Sequence, residues 1–101
     1  MAVPKRDKTR PPTHPGAFFR EIVLPALAVS KAEIARSLGV SRHTLYQLLD
    51  EKTRVTPEMA LRLGKLCGDG PDIWLAMQLK HDLWEAEQSI DISAIPTLSA
   101  A

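Results

Sequence analysis

The sequence predicts an all-α fold of five helices, with a flexible arm before the first helix and a short tail after the last. Three observations support this: apolar residues recur at helical intervals, capping residues precede these runs, and glycine or proline follows them. A chain of 101 residues is long enough for one compact domain. We expect the basic arm over residues 1–15, the domain over 16–88 and the tail over 89–101.

The first helix is predicted to begin near Gly16. The arm before it is rich in proline and charge and has almost no apolar periodicity, which favours an extended or disordered segment. Helical intervals then separate four apolar residues: Phe18, Phe19, Ile22 and Val23. We expect Pro25 to end this helix, because a proline in a helix interior removes a hydrogen bond and crowds the preceding turn.

Two short helices follow, each preceded by a serine cap. Ser30-Lys31-Ala32-Glu33 has the pattern of a capping box, and Gly39 is the residue type that most often ends a helix in a left-handed conformation. Ser41 caps the third helix, which is predicted to reach about Asp50. The inner faces of the two helices are expected to carry Ile34, Ala35, Leu38, Leu45, Leu48 and Leu49.

These two helices have the spacing of a helix-turn-helix over about residues 30–50. Ala35 is small where the helices would cross, Gly39 permits the turn, and Val40 and the leucines bury the angle between the helices. An ordinary helical hairpin with leucines at core spacing is the alternative. It does not account for the small residue and the glycine at their particular positions.

The fourth and fifth helices complete the domain. Thr56-Pro57 places a cap before a proline at the first helical position, and Gly68 marks the end of the fourth helix. Gly70-Pro71-Asp72 repeats the start signal less strongly, and the fifth helix is predicted to run to about Gln88. Beyond Ser89 the pattern is compatible with a strand, a helical turn or disorder.

Charge is distributed unevenly along the chain, although the net charge is only +1. Residues 1–15 and residues 16–68 each carry a net charge of +3, whereas residues 69–101 carry −5. This arrangement is typical of a protein that turns one side towards a polyanion such as nucleic acid. Solvated faces that are unevenly charged by chance are the alternative.

The start of the third helix is the predicted contact with DNA bases. Arginine pairs with guanine, glutamine with adenine, and the threonine methyl group packs on thymine. The predicted base-reading residues are Arg42, His43, Thr44 and Gln47. A solvent-exposed side chain without a base contact is the alternative for His43.

Residues near the helix starts and in the following loop are predicted to contact phosphates, because backbone amides, short polar side chains and cations bind anions there. They are Ser30, Lys31, Ser41, Tyr46, Lys52 and Arg54. Packing is the alternative to a phosphate contact for Tyr46.

The fifth helix is apolar on two sides. The Trp face, formed by Ile73, Trp74, Met77, His81 and Trp84, is expected to lie in the core. The Leu face is expected to form a homodimer through Leu75, Leu79, Leu83 and Ala86. A C-terminal tail folded back over the Leu face of a monomer is the alternative, since Ile90, Ile92 and Ile95 are apolar.

No catalytic or metal-binding pattern is recognisable, so we expect no enzyme activity, cofactor or metal. His14, His43 and His81 are far apart in sequence and lack a carboxylate spacing typical of a metal site. Cys67 is the single cysteine, which excludes an internal disulfide and favours packing. No apolar run is long enough to span a membrane and no secretory signal is recognisable, so we expect a cytoplasmic protein without a membrane partner.

Several motifs inside and outside the helix-turn-helix occur together: His14-Pro15-Gly16, Ala35, Leu38-Gly39-Val40-Ser41, Thr56-Pro57-Glu58-Met59-Ala60-Leu61-Arg62-Leu63, Trp74-Leu75 and Asp82-Leu83-Trp84. With these motifs the chain resembles the HigA family of antitoxins over about residues 14–88. The resemblance implies a five-helix, lambda-repressor-like DNA-binding domain that forms a homodimer. It also implies binding to double-stranded operator DNA, repression of the protein's own operon and neutralisation of a HigB-type toxin that cleaves mRNA.

One position departs from the pattern of such repressors. The second helix usually begins with glutamine and begins here with Lys31. The directional amide group of glutamine is thereby replaced by the point charge of an ammonium group, which keeps phosphate binding plausible. A free-standing transcriptional regulator without a toxin is the second interpretation, and a protein-binding inhibitor that no longer meets DNA is the third. A neighbouring gene for a small basic RNase would favour an antitoxin over the second interpretation.

Overall fold

The computed structural model of the chain describes residues 10–99, which contain five helical segments and no strand. Helix α1 runs without a break through an α turn (Pro15–Phe18), a π turn (Phe19–Val23) and a second α turn (Leu24–Leu27). The other helices are α2 (Lys31–Leu38), α3 (Arg42–Leu49), α4 (Pro57–Cys67) and α5 (Asp72–Ser89). The predicted all-α class is therefore confirmed. None of the helices in this part of the chain is both long and apolar enough to span a membrane.

Helix α1 contains its π turn directly ahead of Pro25. The N–H of Leu24 donates to the carbonyl of Phe19, five residues earlier. In a regular α-helix the ring of Pro25 would crowd the carbonyl of Glu21, and the wider π turn displaces that carbonyl. The prediction that Pro25 ends the helix is therefore wrong. The helix continues to Leu27 and ends at Ala28, whose φ of 54° lies in the left-handed region.

The fold begins before the predicted domain boundary at Gly16. The Nδ1 atom of His14 accepts a hydrogen bond of 2.9 Å from the N–H of Gly16, which caps α1, and both His14 and Pro15 are buried. A Cβ atom at Gly16 would lie 1.9 Å from the carbonyl oxygen of Leu48. Helix α1 therefore passes directly against α3. The predicted arm falls mostly on residues 1–9, which lie outside the described residues together with 100–101.

The core is built from the inner faces of all five helices. In the helix-turn-helix, the buried residues are those that the spacing predicts: Ile34, Ala35, Leu38, Leu45, Leu48 and Leu49. Phe19, Val55, Ala60, Leu63 and Trp74 complete the buried apolar cluster. Cys67 is half-buried against this cluster, and burial raises the pKa of its thiol. The packing predicted for this cysteine agrees with its position.

The Trp face of α5 is only partly the core face that we expected. Trp74 is fully buried, and its ring packs edge-on against Phe18 with 5.6 Å between the ring centroids. Ile73 is 45% exposed, contrary to the prediction. Neighbouring residues on a helix point about 100° apart, so Trp74 and Ile73 cannot both point straight inward. The inward position one turn after Trp74 is taken by Gln78, which is buried.

The C-terminal tail leaves α5 at Ile90 and does not cover the Leu face. Ile90, Ile92, Ile95 and Leu98 are 60–85% exposed, and Leu79 on the Leu face is 69% exposed. The alternative in which the tail folds back over this face of a monomer is therefore contradicted. Apolar side chains of the tail and of α5 remain exposed in the isolated chain.

Candidate nucleic-acid interface

The predicted reading helix, α3, has one buried side and one polar side. Its three leucines are buried in the core, whereas Arg42 and His43 are exposed at its N-terminal end. Thr44 and Gln47 are half-buried at the edge of the polar side. The four predicted base-reading residues thus lie on the part of α3 that the core leaves uncovered.

Serine side chains cap both helices of the helix-turn-helix. The Oγ of Ser30 accepts a hydrogen bond of 3.1 Å from the N–H of Glu33, and the Oγ of Ser41 accepts one of 3.0 Å from the N–H of Thr44. Both serines are exposed. Only half of the predicted capping box is formed, because the carboxylate of Glu33 accepts a hydrogen bond from Arg36. Two capped helix starts are therefore open to solvent, and such starts favour phosphate groups.

Two of the predicted phosphate-contacting residues touch each other across the helix-turn-helix. The Nζ atom of Lys31, at the start of α2, lies 5.6 Å from the ring centroid of Tyr46 on α3. This is within the range of a cation–π contact. Tyr46 is 42% exposed. Its ring therefore supports the lysine at the start of α2, a role that the sequence analysis did not foresee.

Two arginines outside the helix-turn-helix hold the C-terminal ends of its helices. Arg20 on α1 donates a hydrogen bond of 2.6 Å to the carbonyl of Leu49 at the end of α3. Arg62 on α4 donates one of 2.8 Å to the carbonyl of Leu38 at the end of α2. The last carbonyls of a helix have no partner within it, and a cation there also suits the helix dipole. Sequence spacing missed both residues because their partners are distant backbone atoms.

The loop after α3 carries the remaining predicted phosphate contacts. Lys52 and Arg54 are both exposed, but Arg54 also pairs with Asp82 on α5 at 2.5 Å between Nη2 and Oδ2. Lys52 forms no ion pair within residues 10–99, whereas Arg54 is paired with Asp82 in the acidic C-terminal part of the chain.

The four predicted dimer residues differ in exposure. Leu79 and Leu83 are exposed, whereas Leu75 and Ala86 are half-buried. Leu75 packs partly against the core of its own chain. In the isolated chain, the exposed part of the Leu face is therefore centred on Leu79 and Leu83.

The fold brings together two histidines that are far apart in sequence. The rings of His14 and His81 meet edge to face, with 4.9 Å between the ring centroids. Burial lowers the pKa of His14, and the charge of His81 lowers it further, although nearby carboxylates partly oppose this. A neutral His14 is also what the cap requires, because Nδ1 can accept from Gly16 only when it carries no proton.

The His81 region includes one group of possible metal ligands within residues 10–99. Ligand atoms of His81, Asp82 and Glu85 lie within 4.8 Å of one another. Both oxygens of Asp82 already accept hydrogen bonds, one from Gln78 and one from Arg54. Adjacent residues such as His81 and Asp82 also do not share a helix face. The arrangement therefore serves contacts within the protein better than a cation.

Acid is expected to destabilise the protein through His14. Its pKa in the fold lies below the usual value of 6.5, so as the pH falls through 6.5 the unfolded chain takes up the proton first and is favoured. The contribution is therefore present above this value and is lost below it. His14→Asn keeps a common N-cap residue that does not titrate, so its free energy of unfolding should fall less on acidification. Urea unfolding of the wild type and of His14→Asn, above and below pH 6.5, measures this difference. Identical losses of the free energy of unfolding in the two proteins would contradict the role of His14.

Sequence comparison places the helix-turn-helix among known DNA-binding domains. Residues 27–56 match the family described as the CENP-B N-terminal DNA-binding domain. The uncharacterized HTH-type transcriptional regulator YddM of Escherichia coli (strain K12) is 38% identical over 84 residues, which cover 83% of this chain and 88% of the relative.

Two solved structures extend the similarity to the whole fold. The antitoxin GraA in complex with its operator has a TM-score of 0.83 and 35% identity, and the match covers 95% of this chain and 99% of that one. The Pseudomonas aeruginosa antitoxin HigA with the higBA promoter has a TM-score of 0.75 and 28% identity, over 86% of this chain and 99% of that one. Because these similarities cover most of the chain, it belongs to the HigA family of helix-turn-helix antitoxins and regulators.

Proposed function

We propose that this protein is the antitoxin of a type II toxin–antitoxin pair that binds its operator as a homodimer and represses its own operon. In the same proposal it neutralises a HigB-like toxin that cleaves mRNA. The observation that carries the DNA-binding part is the polar side of α3, with Arg42 and His43 exposed at its capped N-terminal end. The GraA and Pseudomonas HigA structures, both described with operator or promoter DNA, support it.

In this proposal the two sets of surface residues have different tasks. Arg42, His43, Thr44 and Gln47 read base edges from the major groove. The predicted phosphate contacts set the position of α3 along the backbone and contribute affinity without sequence preference. They are Ser30, Lys31, Ser41, Tyr46, Lys52 and Arg54.

The proposed function is tested by binding to duplex DNA from the region upstream of the protein's own gene. Fluorescence anisotropy should show tighter binding to this duplex than to a scrambled duplex of equal length, with affinity falling as salt is added. Equal affinity for both duplexes would overturn the proposed repression of the operon. It would leave the protein-binding inhibitor as the interpretation to pursue.

Removing one base-reading side chain should relax specificity. Arg42→Ala is expected to cost about 1–3 kcal/mol on the operator and much less on scrambled DNA, because only base contacts distinguish the two. Lys52→Ala is the matched control: it removes one exposed cation nearby and should weaken both complexes alike. Anisotropy titrations on both duplexes decide between these outcomes. Equal losses on the two duplexes for Arg42→Ala would remove this residue from the reading set.

Toxin neutralisation is tested separately, with the product of the neighbouring gene. We expect that protein to cleave mRNA, to co-purify with this chain and to lose its activity in the complex. A free-standing regulator is the second candidate function, favoured by the similarity to YddM, an uncharacterized HTH-type transcriptional regulator. Specific operator binding without a toxic neighbour would favour it.

A further inference from the structure

A buried amide on α5 connects this helix to the loop that follows α3. Gln78 is only 3% exposed, and its Oε1 accepts a hydrogen bond of 2.7 Å from the N–H of Val55. Val55 is itself buried, with only 2% of its surface exposed. Without Gln78 this N–H would lose its partner in a place that water does not reach, which is costly. The bond therefore fixes the end of the loop against α5.

The same side chain also reaches Arg54 indirectly. The Nε2 of Gln78 donates a hydrogen bond of 2.8 Å to Oδ1 of Asp82, one helical turn further along α5. The other oxygen of Asp82 accepts from Nη2 of Arg54 at 2.5 Å. Two consecutive loop residues, Arg54 through its side chain and Val55 through its backbone, are thus tied to a single pair of side chains on α5.

Arg54 stays available to a ligand in this arrangement. Its side chain is 72% exposed, and a guanidinium carries five N–H donors, of which Asp82 occupies one. An arginine on an exposed loop must otherwise be ordered when it meets a phosphate, and ordering a long side chain weakens binding. A loop whose end is fixed in advance avoids part of that loss.

We propose that Gln78 is a positioning residue for DNA binding. It holds the loop over residues 50–55 so that the side chain of Arg54 is already in position to contact the DNA backbone. This inference rests on the phosphate contact of Arg54 in the proposed function. Gln78 does not touch DNA in this role. Its effect reaches the DNA through Val55, Asp82 and Arg54.

The salt dependence of binding separates positioning from simple stabilisation. Each phosphate contact contributes about 0.9 to the slope of log affinity against log salt. On upstream duplex DNA, Arg54→Ala should reduce the slope by roughly this amount for each protomer, which is about 1.8 for the proposed homodimer. Gln78→Met, which removes both the acceptor and the donor, should reduce it by a similar amount. The slope of the double variant, Arg54→Ala with Gln78→Met, should be reduced no further than that of Arg54→Ala alone, because both changes remove the same phosphate contact.

Two further variants control for folding. Met77→Ala, on the same helix and half-buried against the core, should lower the melting temperature but keep the wild-type slope. Gln78→Glu supplies an acceptor for Val55 and, when protonated beside Asp82, a donor as well, so it should restore the slope. If methionine prevents folding, Gln78→Asn serves instead, because it keeps the amide but is too short to span both partners.

The outcomes distinguish the inference from the function on which it rests. A wild-type slope in Arg54→Ala would refute the phosphate contact itself. A reduced slope in Arg54→Ala with a wild-type slope in a folded Gln78→Met would refute only the positioning role. Additive losses in the double variant would refute it as well, because Gln78 would then act independently of Arg54.

Discussion

Replacing Trp74 by alanine is expected to destabilise the protein more than any other single core substitution that we consider. Trp74 is fully buried and packs against Phe18 and Phe19, where it joins α5 to α1. Removing a buried tryptophan side chain costs about 3–5 kcal/mol, and the whole stability of a domain is commonly about 5–15 kcal/mol. The variant should therefore melt far below the wild type, with a large unfolded fraction at moderate temperature.

Its neighbour provides a matched control. Ile73 belongs to the same turn of α5 but is 45% exposed, so Ile73→Ala should cost well under 2 kcal/mol, roughly the scale of a surface change. Asp69→Asn keeps an acceptor for the indole N–H of Trp74, which donates to Asp69 at 3.1 Å, and should also be mild. Thermal melts followed by circular dichroism compare the stabilities of these two variants with that of Trp74→Ala. A Trp74→Ala variant as stable as Ile73→Ala would show that α5 does not depend on this contact.

The helix starts could be predicted from the sequence because their causes are local. Ser30, Ser41 and Thr56 each accept a hydrogen bond from the N–H three residues ahead, as their residue types and positions indicate. Gly39 ends α2 with a φ of 74°, also as expected. Spacing likewise identified the buried side of α3. The polar residues predicted to read bases were simply those left on its other side.

The features that sequence reasoning missed depend on contacts between distant segments. Gln78 is polar and lies between two apolar faces, so helical periodicity alone predicts an exposed residue, whereas its buried position follows from the N–H of Val55. Pro25 was expected to end α1 because the rule applies to a regular α-helix, and the π turn that precedes it changes the geometry. The approach of His14 to His81 depends on how α1 crosses α5, which no local pattern contains.

The proposed homodimer leads to the second large effect. Leu79→Asp is expected to give a folded monomer, because Leu79 is 69% exposed in the isolated chain and takes little part in its core. At a dry interface, the new carboxylate would be buried without a partner, at a cost of about 3–5 kcal/mol. The dissociation constant of the dimer should therefore rise by roughly a hundredfold or more. Light scattering at micromolar concentration and circular dichroism measure the mass and the helix content.

Leu61→Asp is the matched control, because Leu61 is a leucine of similar exposure, 62%, on α4. It should remain a dimer if the interface is centred on Leu79 and Leu83. A dimer in Leu79→Asp would place the interface elsewhere, and an unfolded Leu79→Asp chain would show that this leucine supports the fold itself.

Tight binding to the operator should depend on dimerisation. Two α3 helices related by a two-fold axis would meet successive major-groove faces about 34–36 Å apart, so an inverted repeat with fixed spacing is the expected operator. Leu79→Asp, with α3 unchanged, should therefore bind a single half-site as weakly as the wild type does and lose the tight binding to the full repeat. If the monomeric variant kept wild-type affinity for the full repeat, specificity would reside in one copy of α3 and the dimer would not be needed for it.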